Sequence, residues 1–184
     1  FVWRDALADT RTDLSGGSAE TVADLQRVQI TANATGLAFL IVMNPAASAG
    51  GSTVQVQIAI DTDRVSGSGQ TFFAGLGDTT VDPSAQWEYL VQTNSTGGSR
   101  VARTLNTAFT STGADAPVAL LTTGVGMEFV IPWARLGMSG PPTTPLRFTL
   151  ATFREGSDGN TVDVGGSGSS NALDAMTDYG APRS

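Results

Sequence analysis

The stretch TVQVQIAID, residues 53–61, sets Val54, Val56, Ile58 and Ile60 at alternate positions, with Gln55, Gln57 and Ala59 between them. A period of two puts the branched residues on one face of an extended strand and the amides on the other, wetter face. The same period recurs along the chain, and no long helical pattern competes with it. WEYLVQT sets Trp87, Tyr89 and Val91 against Glu88, Leu90 and Gln92, and GMEFVIP turns Met127, Phe129 and Ile131 inward with Glu128 outward. ADLQRVQITAN brings Leu25, Val28 and Ile30 to an apolar face. LAFLIVM, residues 37–43, is apolar throughout, as a central strand covered on both faces is. FVWRD, QTFFAGLG, RVARTLN, VALLTTG and LRFTLATFRE supply further strands, and NSTGGS a hairpin loop. PWARLG, residues 132–137, forms one helical turn, with Pro132 suited to its first position and Gly137 to its end.

The 22 glycines lie in short clusters with Ser and Thr and punctuate these segments. Roughly nine or ten strands with turn signals every 8–12 residues predict an all-β fold, a two-sheet antiparallel β-sandwich. No linker or repeat divides the 184 residues, so one domain is expected over residues 1–184. No run reaches the ~18 apolar residues of a membrane-spanning helix. The chain begins at Phe1 and reads as a mature or excised segment. Charged residues make up only 15%, and Ser, Thr, Gly and Asn abound, which points to an extracellular or cell-surface protein.

The net charge is −7 and all ten basic residues are Arg without a basic stripe, so nucleic acid is not an expected partner. There is no His, Lys or Cys. A Ser–His–Asp triad, thiol catalysis, Schiff-base chemistry and His- or Cys-ligated zinc are excluded on composition alone. Two carboxylates can hydrolyse a glycoside, but Glu88 and Glu128 read as solvent-facing strand residues. The expected class is non-catalytic.

The 13 Asp against 4 Glu raise a different chemistry, because Asp favours turns and is an oxygen ligand for calcium. Asp5, Asp9 and Asp13 recur at four-residue spacing, and the tail holds Asp158, Asp163, Asp174 and Asp178. A sandwich that joins its ends would let both loops share an ion. Asp61 and Asp63 stand where an apolar strand runs out, and three roles fit them: metal ligands, acid–base groups, or a strand terminus that organises its loop. The spacing departs from an EF-hand, since Gly67 falls one place late and Phe72 stands where the bidentate Glu belongs. The candidate metal set is Asp5, Asp9, Asp13, Asp61, Asp63 and Asp174, with calcium as the ion.

Among the three Trp, Trp133 is expected beneath the sandwich edge and Trp3 as an anchor of the first strand. Trp87 and Tyr89, on one strand face, either fill the core or form a stacking platform for a sugar ring. Asn33 in NAT and Asn94 in NST match the glycan-acceptor pattern at expected turns.

The order ADLQRVQITANATGLAFLIVM, VQIAIDTD, MEFVIPWARLG, LRFTLATF resembles the family 9 carbohydrate-binding modules and their DOMON-like relatives, which are appended to bacterial glycoside hydrolases. The resemblance implies a sandwich of jelly-roll type, often calcium-bound, that binds carbohydrate without catalysis. Relatives carry a denser acidic start than WRDALADTRTD and a further strand after the region of SNALDAMTDYG. The missing strand motivates an alternative function: a self-assembling subunit of an extracellular filament or surface layer. In that homo-polymer the apolar strand Phe1, Val2, Trp3 is donated to a neighbour's open edge.

Overall fold

The computed structural model describes residues 1–6, 23–43, 53–75, 79–96, 99–121, 125–156, 158, 160–164 and 170–177. Eleven strands are described: β1 (Val2–Arg4), β2 (Leu25–Ala32), β3 (Gly36–Met43), β4 (Thr53–Asp61), β5 (Tyr89–Thr96), β6 (Ser99–Asn106), β7 (Ala116–Pro117), β8 (Ala119–Leu120), β9 (Val125–Pro132), β10 (Arg147–Glu155) and β11 (Asp174–Thr177). They form two antiparallel sheets, one ordered β1-β2-β3-β9-β8 and the other β11-β10-β4-β5-β6-β7. The protein is an all-β sandwich. Among the described residues no helix is long and apolar enough to cross a membrane.

The period-two residues build the space between the sheets. Val54, Val56, Ile58 and Ile60 of β4 face Phe39 and Ile41 of β3, Phe129 and Ile131 of β9, and Phe148 and Leu150 of β10 in one core. Phe39 stacks on Phe129 at 5.2 Å, and Phe148 meets Phe39 and Trp3 edge-on at 6.3 and 6.1 Å. Each such buried side chain contributes about 1.5–3 kcal/mol relative to exposure. The central pairings are distant in sequence: β3 with β9, and β4 with β10 over nine residues each from Thr53↔Glu155 to Asp61↔Arg147. Of VALLTTG, residues 118–124, only Ala119–Leu120 is strand among the described residues, as β8. Its first residue, Val118, joins β7 on one sheet to β8 on the other, so a single residue carries the chain between layers and packs on the core.

At the opposite side, Trp3 is buried and β1 pairs with β2 of its own sheet, with Val2 opposite Gln29 and Arg4 opposite Arg27. The strand expected as a donor, Phe1, Val2 and Trp3, thus places its ladder with β2 and its largest side chain within its own domain in this structure. The two sheets are stitched there by Asp174, whose Oδ2 accepts from Leu25 N at 2.7 Å, and by Thr152 Oγ1, which donates to Ala23 O at 2.9 Å.

PWARLG makes a 3₁₀ turn, Trp133–Leu136, with Pro132 at its N-cap rather than its first position and Gly137 closing it in the left-handed region at φ 65°. Trp133 is buried, as expected, and its Nε1 donates to Asn33 O at 2.8 Å. Asn33 lies in the β2–β3 turn, where its Oδ1 accepts from Thr35 N, Thr35 Oγ1 and Gly36 N. Asn94 is not in a turn; it is buried within β5, so it is not presented as a glycan acceptor. A buried ion pair joins Arg100 to Glu155 at 2.8 Å, and Arg100 also donates to Val54 O at 2.8 Å.

The start of β3 runs so close to β9 that a Cβ on Gly36 would lie 2.1 Å from Ile131 O. Gly36→Ala is expected to lower stability by about 2–3 kcal/mol in urea unfolding, whereas Gly140→Ala, with open space around it, stays within about 0.5 kcal/mol of the parent. Equal effects at the two positions would refute the close-approach account.

Candidate functional site

Beyond Asp61 the chain leaves β4 and returns over the outer face of its own sheet before entering β5. This excursion builds a second core of Phe73, Ala74, Val81, Ala85 and Trp87 on the outward residues Ala59, Leu90, Leu105, Ala151 and Phe153. Over residues 70–75 QTFFAGLG is therefore a covering segment rather than a strand; among the described residues its strand-like pairings are isolated bridges, Gln70 with Trp87 and Phe72 with Thr80.

The amides expected on a wet face lie beneath this cover. Gln55 and Gln57 are fully buried. Gln57 Nε2 donates to Ala74 O at 2.8 Å, and its Oε1 accepts from Ala74 N at 2.8 Å, a two-bond clasp between sheet and cover. Gln55 Oε1 accepts from Gln57 Nε2, Gln92 Nε2 and Thr161 Oγ1 at 2.7, 3.1 and 2.9 Å. A buried amide is costly unless bonded, and these are bonded.

Between the cover, β5–β6 and the segment after β10 lies an open groove of about 560 Å³. Phe72 and Phe109 line it and remain 41% and 38% exposed. Gln92, Arg103, Asn160 and Thr161 bring polar atoms to the same space. Arg103 is held by Asp115 through two bonds of 3.2 and 3.3 Å, so its charge is balanced. Phe109 sits at the tip of the turn after β6 with φ +56°, and its ring meets Trp87 edge-on at 5.6 Å. Asn106 Oδ1 holds this turn by accepting from Ala108 N and Thr110 N, both at 3.0 Å. A phenylalanine held in the left-handed region at a groove lip is strain of the kind found at binding sites.

The expected Trp87–Tyr89 platform is not formed. Trp87 is fully buried in the outer core, while Tyr89 packs against the inner one. The alternation slips because β5 begins only at Tyr89: Trp87 exchanges two backbone bonds with Gln70, and Glu88 N donates to Ile60 O across a bend. Trp87 instead lies beneath the exposed ring of Phe109.

The acidic candidates separate. Asp61, Asp63 and Glu88 bring carboxylate oxygens within 4.8 Å of one another, the one such group among the described residues. Asp61 Oδ1 accepts from Arg64 N at 2.6 Å and Asp63 N at 3.2 Å, and its Oδ2 lies 3.8 Å from Arg147. Asp63 Oδ1 accepts from Val65 N at 2.8 Å, and Glu88 Oε2 from Thr62 N at 2.7 Å and Thr62 Oγ1 at 3.0 Å. Ser68 Oγ lies 3.0 Å from both Asp63 oxygens and 3.3 Å from Glu88 Oε1. The all-oxygen donor set is of the kind a hard cation such as calcium takes. Each carboxylate nevertheless already accepts a backbone donor, so the turn alone accounts for the cluster. Glu88, expected on a solvent face, is the member the alternation misplaced.

Asp174 is not part of this group; its carboxylate binds Leu25 N and Ala175 N. Asp5 is also outside it, with Oδ1 on Ala6 N. Asp9 and Asp13 lie outside the described residues. Glu128 is exposed, as expected. No protein-family model matches the chain, and no curated protein matches it.

Asn160 is positioned by Asp158, whose Oδ2 accepts from Asn160 Nδ2 at 2.8 Å and Oδ1 from its backbone N at 3.1 Å. These bonds, the side-chain one foremost, hold the Asp158 carboxyl below its ordinary value. A depressed folded-state pKa gives stabilisation that is present above the ordinary aspartate range and lost as pH falls through the lowered value. The Asn160 side-chain amide signals are therefore expected to shift on acidification with a midpoint below the ordinary aspartate value; a midpoint at or above that value would contradict the contact. Gln57→Leu removes the clasp, leaving Ala74 N unpaired under the cover and Ala74 O with only the longer contact from Thr161 Oγ1 at 3.4 Å, at a cost of about 1–3 kcal/mol. Amide exchange should then rise over residues 70–75 before the rest of the sheet, and uniform protection would overturn this account.

Proposed function

We propose that the chain is a non-catalytic, exported module that binds carbohydrate in the groove over β5–β6. One observation carries this reading: two half-exposed Phe rings line one concavity with the side chains of Gln92, Arg103, Asn160 and Thr161. A sugar ring presents an apolar C–H face and a rim of hydroxyls. Phe72 and Phe109 offer surfaces for the first, and the amides, guanidinium and hydroxyl offer donors and acceptors for the second. Concave sites that pair apolar walls with a few fixed polar groups are the usual form of a small-molecule site. Because Asp115 balances Arg103, the groove suits a neutral sugar better than an acidic one.

The non-catalytic part of the reading rests on chemistry. Without His, Cys or Lys, acid–base work would fall chiefly to carboxylates, and among the described residues the groove lining contains none. The family 9 and DOMON-like resemblance supports a binding role, and the low charge content supports export.

Binding to a panel of neutral oligosaccharides, followed by titration calorimetry and amide shift mapping, tests the proposal. Phe109→Ala and Phe72→Ala should each weaken binding about tenfold or more, equivalent to about 1.4 kcal/mol, with the melting midpoint nearly unchanged because both rings are partly exposed. Shifts should map to Gln92, Arg103 and Asn160. No binding across the panel, or binding indifferent to both substitutions, would remove the groove as a sugar site.

A further inference from the structure

The outer faces of the two sheets are treated differently. The six-stranded sheet is covered by residues from 73–74 and 81–87, whereas among the described residues no layer covers the outer face of the five-stranded sheet. Yet that face carries the outward half of the apolar run expected to be covered on both sides. Leu37, Phe39, Ile41 and Met43 of β3 point into the core, while Ala38, Leu40 and Val42 point out and are only half-buried. Val2 on β1 and Val130 on β9 share the outer face and are 52% and 40% exposed. The registry aligns Val2, Gln29, Leu40 and Glu128 in one row across the sheet, with Arg4, Arg27 and Val42 in the next.

We infer that this face pairs back-to-back with the same face of a second copy. Charge placement selects the occupant. Arg4 and Arg27 lie on the β1–β2 flank, Glu128 lies on the β9 flank, and the apolar β3 runs between them. None of the three makes an ion pair among the described residues, and Arg27 Nε is buried without a hydrogen-bond partner. A twofold axis along β3 turns the second sheet over, setting its β9 flank on the first copy's β1–β2 flank. Leu40 and Val42 then meet their own counterparts, and each Glu128 comes over the opposite Gln29, one row from Arg27 and Arg4 and within the span of their long side chains, twice by symmetry. Three strands of eight residues about 4.8 Å apart, with the short β1 beside them, give a footprint on the order of 450 Å² per copy, or roughly 900 Å² in total, the scale of a weak, reversible interface. The sugar groove is on the other sheet, so it stays open in the pair.

Sedimentation velocity and light scattering on the 184-residue chain, from micromolar to about 1 mM, test the inference. A concentration-dependent monomer–dimer equilibrium is expected. Leu40→Glu and Glu128→Arg should each raise the dissociation constant at least tenfold, and Glu128 is exposed enough that its variant should fold as the parent does. The combined reversal Arg4→Glu, Arg27→Glu, Glu128→Arg should restore association to within about threefold of the parent, since the complementarity is preserved with opposite sign. A chain that is monomeric throughout, a dimer unmoved by Glu128→Arg, or amide-exchange data showing the face already covered by the chain's own residues in the monomer would each overturn it.

Discussion

The amide clasp between Gln57 and the backbone of Ala74 is the interaction on which the molecule's chemistry depends. Without it, the excursion from β4 to β5 would be a surface loop and the outer face of β4, β5 and β10 a wet one. With it, Phe73, Ala74 and Trp87 are drawn onto Ala59, Leu90 and Phe153, and a second core forms outside the sandwich. The groove is the space left at the margin of that core. A buried glutamine with paired partners is neither a hydrophobic residue nor a solvated one, and it fixes a single position for the cover where apolar contact alone would allow sliding.

Much of the fold was legible in residue order. Strands β2, β3, β4, β9 and β10 follow the apolar period, and Pro132 and Gly137 frame the 3₁₀ turn between them. What residue order did not carry was the third dimension. Nothing local distinguishes a Gln facing water from a Gln facing a returning chain, so Gln55 and Gln57 were placed on the wrong side of a burial boundary. Nothing local marks the bend at Glu88, which moves Trp87 to the face opposite Tyr89 and Glu88 into the company of Asp61 and Asp63. Phe72 and Phe109 gave no signal, because one adjoins Phe73 in a segment that reads as a strand and the other stands alone in a Thr-rich turn. The role of Asp61 and Asp63 as organisers of the turn after β4 was within reach, since Asp readily accepts from amides two and three residues on.

The two outer faces divide the molecule's work. One has been closed by the chain and shaped into a concavity with aromatic walls. The other keeps a stripe of aliphatic residues between a basic flank and an acidic flank. A chain with only 15% charged residues has few means of keeping such a stripe solvated, and patterned charge at its borders lets association choose an orientation. If two copies meet there, their grooves face away from each other, and a polymer long enough to reach both would be held by two weak contacts at once.

The crossing at Val118 has a mechanical consequence. Because β7 and β8 belong to different layers and are joined by one residue, that border of the molecule behaves like the spine of a book, while the border of β1 and β11 is its fore-edge, fastened by Asp174 and Thr152. A parting of the pages at the fore-edge would bring water to the interior beside Trp3 and Phe148, away from the aromatic concavity on the back cover.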